Sequence, residues 1–414
     1  MRRAKKIGQA FWQTGFARVS AIPQTVKALA LVSGFMNITS VVITVLTPLL
    51  IVSVFGADTR TMGMIEGVVV ATFHFTKIFS GVISDWFRTR KILIVLGYGV
   101  SALCMPILAM APSVGWVFFG RFVERLSNGL RDAPRDALIG DVTPKSMTGI
   151  AYGFRQAFAS FGSLIGPVIV SIFIAFSGND YQRVFWWATI PAAIAVMICI
   201  FGIQDRRPPQ VHGASGEKIN PLQFSQLRLL EPRYWRLLFV SAAFMAARYS
   251  ESFLVLRAES VHLPVTYVPL VLVMMNITYC FTSIPIGSFA DRIDKRLFLM
   301  GGFLSLVIAN ILLATSDSLF ELGIGVAIWG LHMALTQGIL LAMVANTAPS
   351  HLRGTAFGFF HLINGVGQLC GNAVLGQLWH HYGIQSAFLV SAGMLILPLM
   401  GLFFLEKTGA EQDH

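Results

Sequence analysis

GVISDWFRTRK, residues 81–91, sets one aspartate and three cations between two apolar blocks, and GSFADRIDKR repeats that kind of interruption at residues 287–296. The blocks on either side decide the fold. The chain of 414 residues is 55% hydrophobic and only 12% charged, with mean hydropathy +0.68, whereas a soluble domain carries roughly a quarter charged residues. A water-soluble fold has nowhere to bury so much apolar surface, so the blocks are read as membrane spans.

A helix crosses the hydrocarbon core in roughly 20 residues. That length predicts spans near 28–55, 62–84, 92–111, 116–139, 150–176 and 184–203, then 237–257, 266–290, 297–314, 319–344, 355–378 and 386–404. The expected fold is an all-α membrane protein of twelve transmembrane helices in two six-helix halves, residues 28–203 and 237–405. Residues 1–27 hold Arg2, Arg3, Lys5, Lys6, Arg18 and Lys27 without the apolar run of a signal peptide. They are read as a basic cytoplasmic arm.

Residues 204–236, with Pro-Pro, Gly, Ser and several cations, read as a linker, and 406–414 as a tail. Cations crowd the loops on the side of the N-terminus, among them Arg90, Lys91, Arg206, Arg207, Arg233 and Arg296, while the opposite loops offer Arg60, Arg183 and little else. By the positive-inside rule both termini are cytoplasmic. The net charge of +11 then has an anionic leaflet as its counterpart and needs no nucleic acid. Cys104, Cys199, Cys280 and Cys370 each sit inside an apolar span without metal-ligand spacing and read as packing residues.

The halves repeat each other. DVTPKSMTGIAYGFRQAFASFGSLIGP at 141–167 parallels NTAPSHLRGTAFGFFHLINGVGQLCGN at 346–372, with Pro144, Gly149, Gly153, Gly162 and Gly166 matching Pro349, Gly354, Gly358, Gly367 and Gly371 at one offset. This is the mark of a duplicated six-helix unit in parallel orientation.

These features resemble the major facilitator superfamily of secondary transporters over nearly the whole chain. The family's loop signature, roughly G-x-L-a-D-r-x-G-r-r-k, is met by Gly81, Ile83, Ser84, Asp85, Arg90 and Lys91, with Trp86 and Arg88 departing from it. The second copy keeps Gly287, Asp291, Arg292, Lys295 and Arg296, with Asp294 at the glycine position. A fourth-helix signature, R-x-x-q-G-x-g-a, is matched by Arg125, Asn128, Gly129 and Ala133. The resemblance implies a gate at Asp85 and Asp291 that holds the cytoplasmic side shut, and a proton-coupling role for Arg125. On the residues alone, Gly81 and Gly287 permit close helix approach, and Asp85 and Asp291 can accept hydrogen bonds that exist in one orientation of the halves only. A turn with cationic anchors and no switching role is the plainer reading.

Ionisable groups at bilayer depth cost at least a few kcal/mol each and mark candidate sites. The predicted fourth helix carries Arg121, Arg125, Asn128 and Asp132 on one stripe, with Glu124, Arg131 and Arg135 beside it. In the second, Glu66 and Lys77 stand eleven residues apart, too far to pair, so each needs its own partner; His74 is either a proton relay or a packing residue. In the seventh, Arg248 and Glu251 have i, i+3 spacing and would satisfy each other, or trade partners in the cavity that the resemblance implies. Arg155 and Gln156 have Phe360 and His361 as repeat counterparts. Asn37, Thr44, Asn276, Tyr279, Trp329, His332, Gln337 and Asn364 are further polar or aromatic groups for a path or for interhelical bonds.

The deeper cations Lys77, Arg121, Arg125, Arg155 and Arg248 outnumber Glu66, Glu124 and Glu251, which favours an anionic cargo. The reading is a monomeric, proton-coupled secondary transporter of a small organic solute, an anionic metabolite or carboxylate siderophore, in a bacterial inner membrane. No nucleotide-binding motif and no cofactor or metal motif occurs. Rival readings are a multidrug exporter and a lipid flippase on the same fold, and a membrane receptor or enzyme, for which no nucleophile–base pair or appended signalling domain is recognisable.

Overall fold

The computed structural model describes residues 22–87, 90–144, 147–204, 230–290, 293–347 and 353–405. The arm to residue 21, most of the linker (205–229), Asp291, Arg292 and the tail lie outside the described residues, as do the side chains at 81–87, 148–149, 284, 287–290 and 353–355. Gly81, Asp85 and Gly287 are therefore seen only as helical backbone.

Among the described residues every regular element is a helix. The order is α1 (Gln24–Leu49, continued by a π-helical turn, Leu50–Val54), α2 (Thr59–Phe87), α3 (Arg90–Ala109), α4 (Val114–Val142), α5 (Thr148–Ser177), α6 (Tyr181–Gly202), α7 (Pro232–Ala247) and α8 (Ser252–Ser260). After a 3-10 turn at Val265–Tyr267 come α9 (Leu270–Ala290), α10 (Lys295–Thr315), α11 (Leu319–Thr347), α12 (Arg353–Met394) and α13 (Ile396–Phe403). In lipid the backbone finds no outside partner, so apolar runs satisfy their amides internally. Hydroxyls inside the spans do the same: Ser33, Thr39 and Thr44 each donate to the carbonyl four residues back.

Among the described residues ten segments are long and apolar enough to cross a membrane. The 29-residue α4 is not among them, because its charged run dilutes the apolar surface. One of the ten, Ala356–Phe403, is 48 residues long and holds Gly383 at φ 83, ψ 174, a left-handed break that glycine tolerates. α1 takes residues 24–27 from the predicted arm, and α7, opened by Pro232, takes 232–236 from the predicted linker.

The predicted helix 237–257 is in fact interrupted. α7 stops at Ala247, Arg248 is extended (φ −92, ψ 131), and α8 starts at Ser252. Distant side chains take up the freed backbone groups: Ser391 Oγ donates to the Ala247 carbonyl at 2.7 Å, and the Ser250 amide donates to Asn372 Oδ1 at 2.7 Å. Tyr249 is anchored as well, its hydroxyl donating to Asn310 Oδ1 at 2.8 Å. An unwound stretch survives at bilayer depth only where protein satisfies it in this way.

The repeat is visible in packing. A Cβ on Gly162 of α5 would strike the Gly34 carbonyl and approach Asn37 Cβ of α1 to 3.0 Å, and one on Gly367 of α12 would approach the Ala242 carbonyl and Met245 Cβ of α7 to 2.9 and 3.1 Å. Matched glycines thus seat matched helices.

Thr25 bonds Gln204 and Arg236 bonds the Phe404 carbonyl, so the start of α1 meets the end of α6 and the start of α7 meets the end of α13. At the other end the segments are sealed together. Ser53 donates to Glu259 at 2.5 Å, Thr59 to the Gly376 carbonyl at 3.3 Å, and His380 lies 3.8 Å from Asp58. Beneath these, α2 and α12 touch backbone to backbone, and a Cβ on Gly63 would reach within 2.9 Å of Gly376 Cα.

Candidate functional site

A cavity of about 550 Å³ lies at the centre, lined by α1, α2, α4, α5, α7, the 248–251 break, α9, α11 and α12. His74, Lys77, Arg125, Arg248 and Glu251 line it. Glu66, Arg121, Glu124 and His332 do not; they are buried behind its wall. Arg155 is away from the cavity, its guanidinium donating to Gln156 at 2.6 Å.

The wall of α2 and α4 is a closed charge cluster. Helical spacing puts Arg121, Glu124, Arg125 and Asn128 on successive turns, where Glu66 of α2 meets Arg121 at 2.5 Å with both side chains essentially inaccessible. Glu124 takes the rest: Arg121 and Arg125 each lie 3.5 Å from it, and Asn128 donates to it at 2.5 Å. Two carboxylates thus answer two guanidiniums. Further along α4, Arg135 binds Asp132 at 2.8 Å and Asp136 at 3.0 Å, and Arg131 donates to Ser101 at 2.7 Å while stacking on Tyr98.

The opposite wall differs. The break removes Arg248 and Glu251 from a common helical face, and the i, i+3 pair expected between them does not form within 4.0 Å. Arg248 instead donates through Nε to His332 Nε2 at 3.3 Å and lies over the Trp329 ring at 5.1 Å. Neither is a carboxylate; the acid whose charge acts on Arg248 is Glu251, in the same cavity lining.

Lys77, on α2, likewise has no carboxylate within 4.0 Å among the described residues, and its ammonium sits 5.8 Å from the Phe73 ring centroid. The His74 ring stacks on His361 of α12 at 5.7 Å, joining α2 and α12. Among the described residues Glu251 is the one acid of the lining.

Asn37, Thr44, Asn276, Gln337 and Asn364 also reach the cavity, whereas Tyr279 and Trp329 do not line it. Sequence reasoning missed His361, Gln368, Asn372 and Ser250 as lining residues. The signal for His361 was the repeat itself, where a histidine replaces Gln156. Ser250 also ties the halves together, donating to Glu66 Oε2 at 2.8 Å. Of the predicted gate, Arg90 binds Asp141 at 2.5 Å, joining the start of α3 to the end of α4, and Lys91 is half-buried beside it.

The family model described as Major Facilitator Superfamily matches residues 28–257 and 252–413. The chain belongs to the major facilitator superfamily. An uncharacterized MFS-type transporter of Methanocaldococcus jannaschii is 27% identical over 394 residues, covering 93% of this chain and 95% of that one. A further MFS-type transporter, YuxJ of Bacillus subtilis, is 22% identical over 84% of this chain and 88% of its own. Among solved structures, the nucleoside transporter NupG superposes with TM-score 0.76 at 14% identity, covering 92% of this chain and 98% of its own. A bacterial homologue of the human lysosomal transporter Spinster, inward-facing and unoccupied, does so with TM-score 0.74 at 14% identity over 92% and 96%. The protein is thus a multi-pass membrane transporter of this superfamily and not an enzyme.

Proposed function

We propose that this transporter carries a small organic anion across a bacterial inner membrane by alternating access, coupled to protons and acting as a monomer. Counting α4 as a span despite its charges, and dividing Ala356–Phe403 at Gly383, turns the ten apolar segments into twelve. Cation-rich loops then put both termini in the cytoplasm.

One observation carries the choice of cargo. Lys77 from the first half and Arg248 from the second both line one cavity without a carboxylate within 4.0 Å among the described residues. An anion bound between them satisfies both charges and bridges the halves. Glu251 lines the same cavity and competes with the cargo for Arg248, so loading is easiest when Glu251 carries a proton. That competition supports proton coupling. The close α2–α12 contact at one end supports reading the cavity as that of an inward-facing state, in which rocking of the halves would part Gly63 from Gly376. The aspartates Asp85 and Asp291 are proposed as the opposing latch; unchanged cysteine-probe access in Asp85→Asn would contradict that role.

The test is thermal stabilisation of the purified protein against matched panels of polycarboxylates, siderophores and lipophilic cations. A bound anion at about 100 times its Kd adds about 2.7 kcal/mol, and Arg248→Ala and Lys77→Ala each remove that gain. Stabilisation by lipophilic cations alone would overturn the reading in favour of a drug exporter.

A further inference from the structure

The two cavity cations that pair with no carboxylate stand on different walls. Lys77 reaches the cavity from α2, where its ammonium rests 5.8 Å from the Phe73 ring, next to the contact of His74 with His361. Arg248 reaches it from the break, and its guanidinium is turned onto α11 by His332 at 3.3 Å and Trp329 at 5.1 Å. Among the described residues α2 packs on α12 and α4, while α11 packs chiefly on α10 and α9. Packed helix axes stand about 8–10 Å apart, and α2 and α11, not being packing neighbours, lie further apart than that. The acids nearby do not close the gap. Glu251 acts on the Arg248 end, and Asp132, whose charge reaches Lys77, is already bound by Arg135 at 2.8 Å.

We propose that the cargo is an organic dianion with its two acidic groups apart, one seated at Lys77 and the other at Arg248. This rests on the anion reading above and deepens it, assigning how many charges the cargo carries and where each one sits. A single carboxylate or phosphate is too compact to touch cations on both walls; it satisfies one and leaves the other to water. A molecule with an acidic group at each end meets both at once, each through a charge-assisted contact. The cavity of about 550 Å³ has room for the linker between them. That linker passes α12, which contributes His361, Asn364 and Gln368 to the lining, so hydroxyl or amide groups along it find partners. Because Lys77 belongs to the first half and Arg248 to the second, such a cargo ties the halves together from both ends, which a monoanion does not do.

The full-length protein in detergent, at constant ionic strength, is melted with α,ω-dicarboxylates of increasing chain length and, in parallel, with the monomethyl ester of each, which keeps the skeleton and loses one charge. A charge-assisted contact at the second end is worth about a hundredfold in affinity. The best diacid therefore half-saturates its stabilisation at about a hundredfold lower concentration than its half-ester, and this advantage peaks at one chain length. In Lys77→Gln and in Arg248→Gln the diacid falls to the level of the half-ester, while the half-ester keeps its own midpoint, which shows that each variant is folded with the remaining end intact. Equal midpoints for diacid and half-ester at every length would overturn the proposal and leave a monoanionic cargo. Stabilisation by neither would overturn it together with the anion reading on which it rests.

Discussion

Arg121 on α4 and Arg248 at the α7 break are both arginines of transmembrane segments, and the structure treats them in opposite ways. Arg121 is enclosed, held by Glu66 and Glu124 with no accessible side-chain surface. Arg248 lines a cavity, hydrogen-bonded to an imidazole and lying over an indole ring, with no carboxylate of the described residues within 4.0 Å. The difference is one of backbone. An unbroken α4 places acids and bases a turn apart and lets them cancel, while the unwound 248–251 stretch separates Arg248 from Glu251 and leaves a charge for something else to answer. A count of intramembrane charges overstates the site; what matters is which of them lack a counter-charge.

The largest effect expected of this comparison is on stability. Arg121→Ala leaves Glu66 and Glu124 buried without their main counter-charge, a loss of about 3–5 kcal/mol; the variant should melt far below wild type or fail to run as a single species in size-exclusion chromatography. A normal melting temperature would break the distinction between the two arginines. For Arg248→Ala the expectation reverses: the ligand-free protein melts near wild type, but the anion-induced gain of about 2.7 kcal/mol disappears.

Next in size is the seal. Gly376→Leu forces a side chain against Gly63 and the Thr59 carbonyl, an overpacking cost of about 1–3 kcal/mol. A cysteine placed at Ser53 should react faster with a water-soluble thiol reagent in that background, and an unchanged rate would show that the α2–α12 contact does not hold that end shut. His332→Ala removes one hydrogen bond to Arg248, worth about 1 kcal/mol. Anion affinity should fall severalfold, most of it regained in His332→Gln, which sharpens the claim that His332 orients the guanidinium.

Asp58 should matter least. The hydroxyl and amide of Thr61 hold its carboxyl below the ordinary carboxylate range, with His380 adding to this. A lowered value means that the contribution is present above the unfolded carboxylate pKa and is lost as pH falls through the lowered one. Asp58→Asn should therefore leave melting near neutral pH almost unchanged and flatten the acid limb of the pH–stability curve.

Much of this was legible beforehand. Apolar block lengths gave the spans of α1, α3, α6 and α10 to within a few residues, and the glycines Gly162 and Gly367 marked helix contacts that the structure uses in both halves. The break at 248–251 was not legible, because what stabilises it comes from Asn372 and Ser391, more than a hundred residues away. Neither was the partner of Glu66. Local spacing excluded Lys77 correctly but could not select Arg121 on α4. His361 was legible only as the repeat counterpart of Gln156; that it faces the cavity depends on the packing of α2 against α12, which brings it onto His74.

The sequence by itself determined the solvent this protein lives in, the succession of its helices and the duplication that relates them, since each follows from composition, length and self-similarity along one chain. Only the tertiary structure decided which charges are spent and which are offered. Neutralisation depends on distances of a few ångströms between helices far apart in sequence, and in a medium of low dielectric those distances separate a structural ion pair from a site.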